Sequence, residues 1–179
     1  MRLFTAVELN EEIKNEIVRV ASDLKCNGVK VAKREELHIT LTFLGDVEEA
    51  NIDSIIDALK IVKSASFSVK VQGIGTFNPE YIKIVFAKIA DGYEGIKGIY
   101  RQAAEALDSH GIFFDKKEYL PHITIARVKN LKDKQSLYSF IEKYKNKEFG
   151  SFKVDSFSLF KSTLMQSGPE YYTLYKFDL

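Results

Sequence analysis

The sequence predicts an α+β fold made of two similar lobes of one domain, and three observations carry the prediction. A short stretch occurs twice, Leu37-His38-Ile39-Thr40-Leu41 and Pro121-His122-Ile123-Thr124-Ile125, with its histidines 84 positions apart in a chain of 179 residues. Each copy lies in a run that alternates with period two, LHITLTFLG and LPHITIARV, the pattern of a strand with two unlike faces. Around each copy the same order of elements recurs: helix, motif strand, helix, two strands. No linker rich in Pro, Gly or Ser separates the halves. Residues 1–179 are therefore expected to pack as a single domain of two lobes, each contributing one His-x-Thr strand to a shared cleft.

Arg2 to Glu8 sets Leu3, Thr5 and Val7 against Phe4, Ala6 and Glu8 and reads as a strand. Asn10 suits an N-cap, Glu11 and Glu12 a first helical turn, and Ile13, Ile17, Val20 and Leu24 recur at helical spacing. A helix of about four turns follows, stopped by Asn27-Gly28. Val29 to Val31 is a short strand, and Lys33 to Glu36 a charged turn into the first motif strand, which ends at Gly45. A second helix is expected from about Ala50 to Lys63, with Ile52, Ile55, Ile56 and Leu59 on one face. Phe67 to Phe77 and Tyr81 to Ile89 read as strands joined by a turn at Asn78-Pro79-Glu80.

After Asp91-Gly92, a helix from about Tyr93 to Ser109 precedes the second motif strand. His110 and Gly111 suit its end, a cation near the last carbonyls followed by a glycine, so the third histidine is expected to be structural. Leu131 to Tyr144 is a fourth helix with Leu137, Phe140, Ile141 and Tyr144 as its apolar face. Phe149 to Leu164 and Tyr171 to Leu179 are the closing strands, separated by the turn Gln166-Ser167-Gly168-Pro169. The glycines of Gln72-Gly73-Ile74-Gly75 lack the rest of any nucleotide-binding pattern and mark a bulged strand.

With 45% hydrophobic and 12% aromatic residues the chain has ample material for a packed core, which excludes disorder. Its 26 basic and 25 acidic residues leave a net charge of +1, so an anionic ligand must be held by a local cluster. Only five of the bases are Arg, which makes Arg127, beside the second motif, informative. The lone Cys26 cannot form an internal disulfide. With neither a charged-then-apolar leader nor an apolar run near 18 residues, a cytoplasmic protein with no membrane contact is expected.

On a strand, residues i and i+2 share a face, so His38 and Thr40 project opposite to Ile39, Leu41 and Phe43, and His122 and Thr124 opposite to Ile123 and Ile125. Two imidazoles in one cleft suit concerted acid-base chemistry, because an ordinary pKa near 6.5 allows one to be neutral and the other protonated. Threonine hydroxyls donate to phosphate oxygens, and Arg127 adds a charge-assisted fork. Together these groups describe a phosphodiester site. Arg127 stands five residues after His122, so a straight strand would turn it away; a bulge or a strand end near Ala126 is required, the alternative being a solvated arginine. No zinc spacing, HExxH or acidic ion loop is present, so no metal is expected.

The paired motifs HITL and HITI, with RLFTAVEL, LHITLTFLGDV, LPHITIARV and FSLFKSTLMQSGPEYYTLYKFDL, resemble the 2H phosphoesterase superfamily. More narrowly, they resemble the LigT-like (ThpR) RNA 2′,3′-cyclic phosphodiesterases, also called 2′-5′ RNA ligases. The resemblance spans nearly the whole chain. It implies a pseudo-twofold duplication in which two antiparallel sheets form a central cleft with helices outside. It also implies a cofactor-free, metal-free monomer that acts on RNA ends bearing a 2′,3′-cyclic phosphate, leaves a 2′-phosphate, and joins tRNA halves weakly in reverse. His38 is then the proton donor and His122 the acceptor, with Thr40, Thr124 and Arg127 on the phosphate; because substrate and product are both anionic, the acid's pKa is expected above the base's. Family members often carry an aromatic about seven residues before the first motif histidine, where this chain has Val31. Phe4, Phe43, Tyr119 and Tyr171 are the candidates to stack on a base in its place. The alternatives are a phosphodiesterase for another small cyclic phosphate or 2′-5′ oligonucleotide, and a non-catalytic RNA-end binding module.

Overall fold

Local signals set the helices. The side chain of Asn10 accepts a 3.0 Å hydrogen bond from the Ile13 amide and starts helix α1 (Glu11–Ala21), a cap worth about 1 kcal/mol. The helix has about three turns rather than four: Leu24 is buried, but in a closing turn where its amide donates to Ala21. Helix α2 (Ile52–Leu59) is shorter than its apolar pattern, a 3₁₀ turn at Glu49–Asn51 preceding it. Helix α3 spans Tyr93–Ser109 as expected, and the Nδ1 of His110 bonds the Ala106 carbonyl at its end, with Gly111 at φ 67° beyond. Helix α4 (Lys134–Tyr144) is capped by the Asp133 carboxylate, which accepts from the Ser136 amide, so it begins three residues later than its periodicity suggests.

In the computed structural model, which describes residues 1–166 and 168–179, the described strands are β1 (Arg2–Glu8), β2 (Val29–Val31), β3 (His38–Asp46), β4 (Phe67–Thr76), β5 (Ile84–Asp91), β6 (His122–Val128), β7 (Glu148–Val154), β8 (Ser156–Met165) and β9 (Gly168–Asp178). The expected turn at residues 166–169 includes Ser167, which lies outside the described residues. All pairings are antiparallel, in the order β7-β4-β5-β6-β3-β1-β8-β9, with β2 added to β6. One residue pair, Ile39 with Ile123, joins β3 to β6. The curled sheet thus divides into two antiparallel groups of four strands, β7-β4-β5-β6 and β3-β1-β8-β9, meeting at the two motif strands.

Each group mixes the two halves of the chain. The hairpin β4-β5 that follows the first motif pairs with the second motif strand, and β8-β9 returns to β1 beside the first. The expected single strand from Phe149 to Leu164 is two strands for this reason: β7 pairs with β4, the chain crosses at Asp155, and β8 pairs with β1 in the opposite group. The Asp155 carbonyl accepts the Leu179 amide across that crossing. Ile39 and Ile123 are fully buried in the principal core, with Ile96 and Ile99 of α3 and Leu137 of α4, so the helices cover the face away from the histidines.

Two bulges correct the straight-strand reading. In β3 the alternation slips after Leu41: Thr42 and Leu44 are buried and Phe43 is exposed, so Phe43 lies on the histidine face rather than behind it with Ile39 and Leu41. The buried Thr5 hydroxyl accepts the Thr42 amide at 3.1 Å and bonds the Thr42 hydroxyl at 2.7 Å, satisfying polar groups that the slip leaves in the core. In β6 the register with β5 shifts between Phe86↔Thr124 and Val85↔Ala126, leaving Ile125 as the extra residue. Arg127 consequently turns to the same face as His122.

Candidate active site

Extending the Ile39↔Ile123 pair by one residue sets His38 across from Thr124 and Thr40 across from His122. All four side chains share the face opposite the buried isoleucines, and facing positions in such a ladder stand about 5 Å apart at Cβ. A cleft of about 750 Å³ opens along the β3-β1-β8-β9 group and is lined by Phe4, His38, Thr40, Phe43, Arg127 and Tyr171. A narrower pocket of about 240 Å³ continues from it between His38, Thr40, Thr124, Arg127 and Tyr171. His122 lines neither pocket. It stands on the wall formed by the β7-β4-β5-β6 group, close enough for its charge to act on His38.

The two histidines are held differently. The ring of His38 stacks on Phe4 at 5.0 Å and meets Tyr171 edge-on at 5.4 Å, with Phe160 behind at 6.5 Å. Burial among these rings pushes its pKa down from the ordinary 6.5 to about 4, and the Arg127 charge, then that of His122, push in the same direction. His122 packs against Phe77 at 4.9 Å and Phe86 at 5.3 Å, and burial lowers its pKa too, with Arg127 adding to the effect. A 2.7 Å bond from its Nδ1 to the Leu120 carbonyl opposes that shift and puts the proton of the neutral ring on Nδ1, leaving Nε2 with a free lone pair. In the free protein both imidazoles are therefore held below their ordinary value, His38 by burial with nothing opposing it and His122 against the opposing pull of its carbonyl bond. The aromatic cage, which period-two patterning does not reveal, is the cause.

Of the four stacking candidates, Phe4, Phe43 and Tyr171 line the larger cleft. Phe4 is 4% exposed and serves as the floor beneath His38, whereas Phe43 is 40% exposed and offers a free face. Tyr119 lines neither pocket: its ring stacks on Tyr100 of α3 at 3.9 Å, and its hydroxyl donates to the Thr40 carbonyl at 2.9 Å. It supports the first motif strand from the helix side. Phe77, Phe86 and Phe160 escaped the sequence reading because their contact with the histidines is made across strands. So did Lys88, which pairs with His122 in the ladder and whose stem lies over Gly75, where a Cβ would stand 2.5 Å from its Cε. Among the described residues no three His, Cys, Asp or Glu side chains gather into a metal site, and no helix is long and apolar enough to cross a membrane.

Residues 5–177 match the family model of the AKAP7 2′5′ RNA ligase-like domain. The chain belongs to this 2′-5′ RNA ligase-like family. An RNA 2′,3′-cyclic phosphodiesterase of Methanocaldococcus jannaschii is 38% identical over 172 residues, covering 96% of each chain. One of Thermotoga maritima is 33% identical over 98% of this chain and 94% of its own. Among solved structures, TT0787 of Thermus thermophilus superposes with a TM-score of 0.79 at 30% identity, covering 100% of this chain and 98% of its own. E. coli LigT in complex with 3′-AMP superposes with a TM-score of 0.83 at 20% identity, covering 99% and 97%, a likeness of fold. The LigT-like fold is thus this chain's fold, as the HITL and HITI blocks implied.

Proposed function

We propose that this 2′-5′ RNA ligase-like protein is an RNA 2′,3′-cyclic phosphodiesterase that opens the cyclic phosphate at an RNA end to a 2′-phosphate, with His38 and His122 as its acid and base. The observation that carries the reading is the placing of two unlike imidazoles, one on each strand group, around a seat formed by Thr40, Thr124 and Arg127. The free Nε2 of His122 is suited to take a proton from water as it attacks phosphorus in line. His38, in the cleft that receives the nucleoside, gives its proton to the departing 3′ oxygen. The bound phosphodiester supplies the negative charge that raises His38 from its depressed value, so substrate binding favours the pair's one proton on His38. The two hydroxyls and the guanidinium stabilise charge on the non-bridging oxygens. We place the reaction in the cytoplasm, carried by a monomer without a metal, with joining of tRNA halves as a slow side reaction in which a 5′ hydroxyl takes the place of water and the same 3′ oxygen departs.

The test is incubation in EDTA with 2′,3′-cyclic mononucleotides, RNAs ending in a cyclic phosphate and 2′-5′ dimers, followed by product identification. A 2′-phosphate product from cyclic-phosphate RNA is expected. Binding without turnover identifies an end-binding module, turnover restricted to the other substrates redirects the reading, and activity restored only by Mg²⁺ or Zn²⁺ refutes the metal-free scheme.

The pH profile follows from the two depressed imidazoles. The reactive form carries one proton on the pair, so kcat/KM falls at low pH as both rings charge and at high pH as both become neutral. Because both pKa values lie below the ordinary one, the maximum for the free enzyme is expected below about 6.5, with limbs that belong to the pair. A flat profile or a maximum above about 8 would contradict it.

Thr40→Val and Thr124→Val keep shape and remove a donor. Each is expected to lower kcat/KM by about 10- to 100-fold, the loss for a hydrogen bond to a charged group, with an unchanged melting temperature because the strands pack through their other face. Full activity in either variant would remove that hydroxyl from the mechanism.

A further inference from the structure

The narrow pocket has more positive charge than one cyclic phosphate requires. In the β2–β6 ladder Lys30 stands directly opposite Arg127, and Lys129 follows Arg127 by two residues; all three line the pocket. Like charges facing each other across a ladder destabilise it unless an anion lies between them. The acidic group there, Glu36, leaves one carboxylate oxygen buried without a hydrogen-bond partner. Among the described residues neither lysine is in an ion pair, although Lys60, Lys70, Lys116, Lys117, Lys143 and Lys145 each contact a carboxylate. The backbone enforces this concentration of charge. The carbonyl of Gly28, a residue at φ 86°, accepts the Lys129 amide at 2.9 Å, and a Cβ on that glycine would stand 1.7 Å from the Asn130 carbonyl oxygen. Only a glycine lets the end of β6 press so closely on the start of β2.

The surface continues in the same style. Lys129 also borders a depression of about 270 Å³ with Lys83, Lys134, Tyr81 and Tyr138. Tyr81 is 67% exposed, and the Lys83 ammonium lies 5.0 Å from its ring centroid. Cations interleaved with exposed aromatic rings are the surface that single-stranded nucleic acid recognises, phosphates on the lysines and bases on the rings.

We propose that Lys30 and Lys129 hold a second phosphate, one phosphodiester removed from the reacting group, and that the RNA strand leaves the cleft over Lys83 and Tyr81. The site then selects the ends of oligonucleotides over free cyclic mononucleotides. This rests on the phosphodiesterase reading above, and it extends that reading from the reacting phosphate to the strand attached to it.

The experiment compares kcat/KM for a cyclic mononucleotide and for a tetranucleotide with the same cyclic-phosphate end, in the natural protein and in the Lys30→Met/Lys129→Met double variant, across a range of salt. The natural protein is expected to favour the tetranucleotide, and the double variant to lose about tenfold or more on it while changing less than about twofold on the mononucleotide. Two lost contacts with a single strand correspond to a fall of about 1.4 in the log–log salt slope. Equal turnover of both substrates by the natural protein, or equal losses on both in the variant, overturns the second phosphate seat and leaves the hydrolase reading standing. Turnover of neither substrate overturns the hydrolase reading and this inference with it.

Discussion

His38→Ala and His122→Ala are each expected to lose about 10²- to 10⁴-fold in kcat, the range for removing a general acid or base. His110→Ala is expected to stay within about twofold, because its imidazole is spent on the Ala106 carbonyl at the end of α3. The two losses should differ in kind. If His38 donates to the leaving 3′ oxygen, a substrate with an activated leaving group needs no donor, and it restores much of the activity of His38→Ala while leaving His122→Ala impaired. The asymmetry of the two motif histidines supports that assignment, since the Nδ1 proton of His122 is committed to the Leu120 carbonyl and its Nε2 is left to accept a proton. Equal rescue of both variants, or a loss below about tenfold for either, would end the two-histidine scheme. Melting curves belong beside the kinetics, because truncating His38 opens a gap among Phe4, Tyr171 and Phe160.

Arg127→Met is expected to lower kcat by about 10²- to 10³-fold, as removal of a preorganised charge-stabilising donor does. Arg127→Lys should recover only part of this, because an ammonium keeps the charge without the planar two-pronged fork. A second readout separates a role at the phosphate from support of the strand. The Arg127 charge depresses both histidines, so the methionine variant should shift both limbs of the kcat/KM profile to higher pH, and the lysine variant should shift them less. An unchanged profile with a small loss of kcat would return Arg127 to the status of a solvated strand end.

Features that depend on neighbours along the chain were legible in the residues alone. Period-two alternation decided that His38 and Thr40, and His122 and Thr124, share a face. Asn10, Asn78 and the His110-Gly111 pair acted where they were expected to, because caps and turns are satisfied within a few residues; the Asn78 carboxamide accepts the Glu80 and Tyr81 amides. The quoted blocks carried the family. Which strands became neighbours was settled only in three dimensions. The exchange of hairpins between the halves, the division of Phe149 to Leu164 at Asp155, and the packing of Phe77, Phe86 and Phe160 on the histidines all depend on contacts between residues far apart in the chain. The bulges after Leu41 and at Ile125 belong to the same class. A slip of one residue turns the following side chains to the other face. Whether it occurs depends on what the partner strand and the core accept, here the Thr5 hydroxyl beside Thr42 and the Ala32 amide on the Ile125 carbonyl. Those two slips bring Phe43 and Arg127 into the cleft, while Tyr119, aromatic and near the motif, is drawn onto Tyr100, where the two half-buried rings stack against the core.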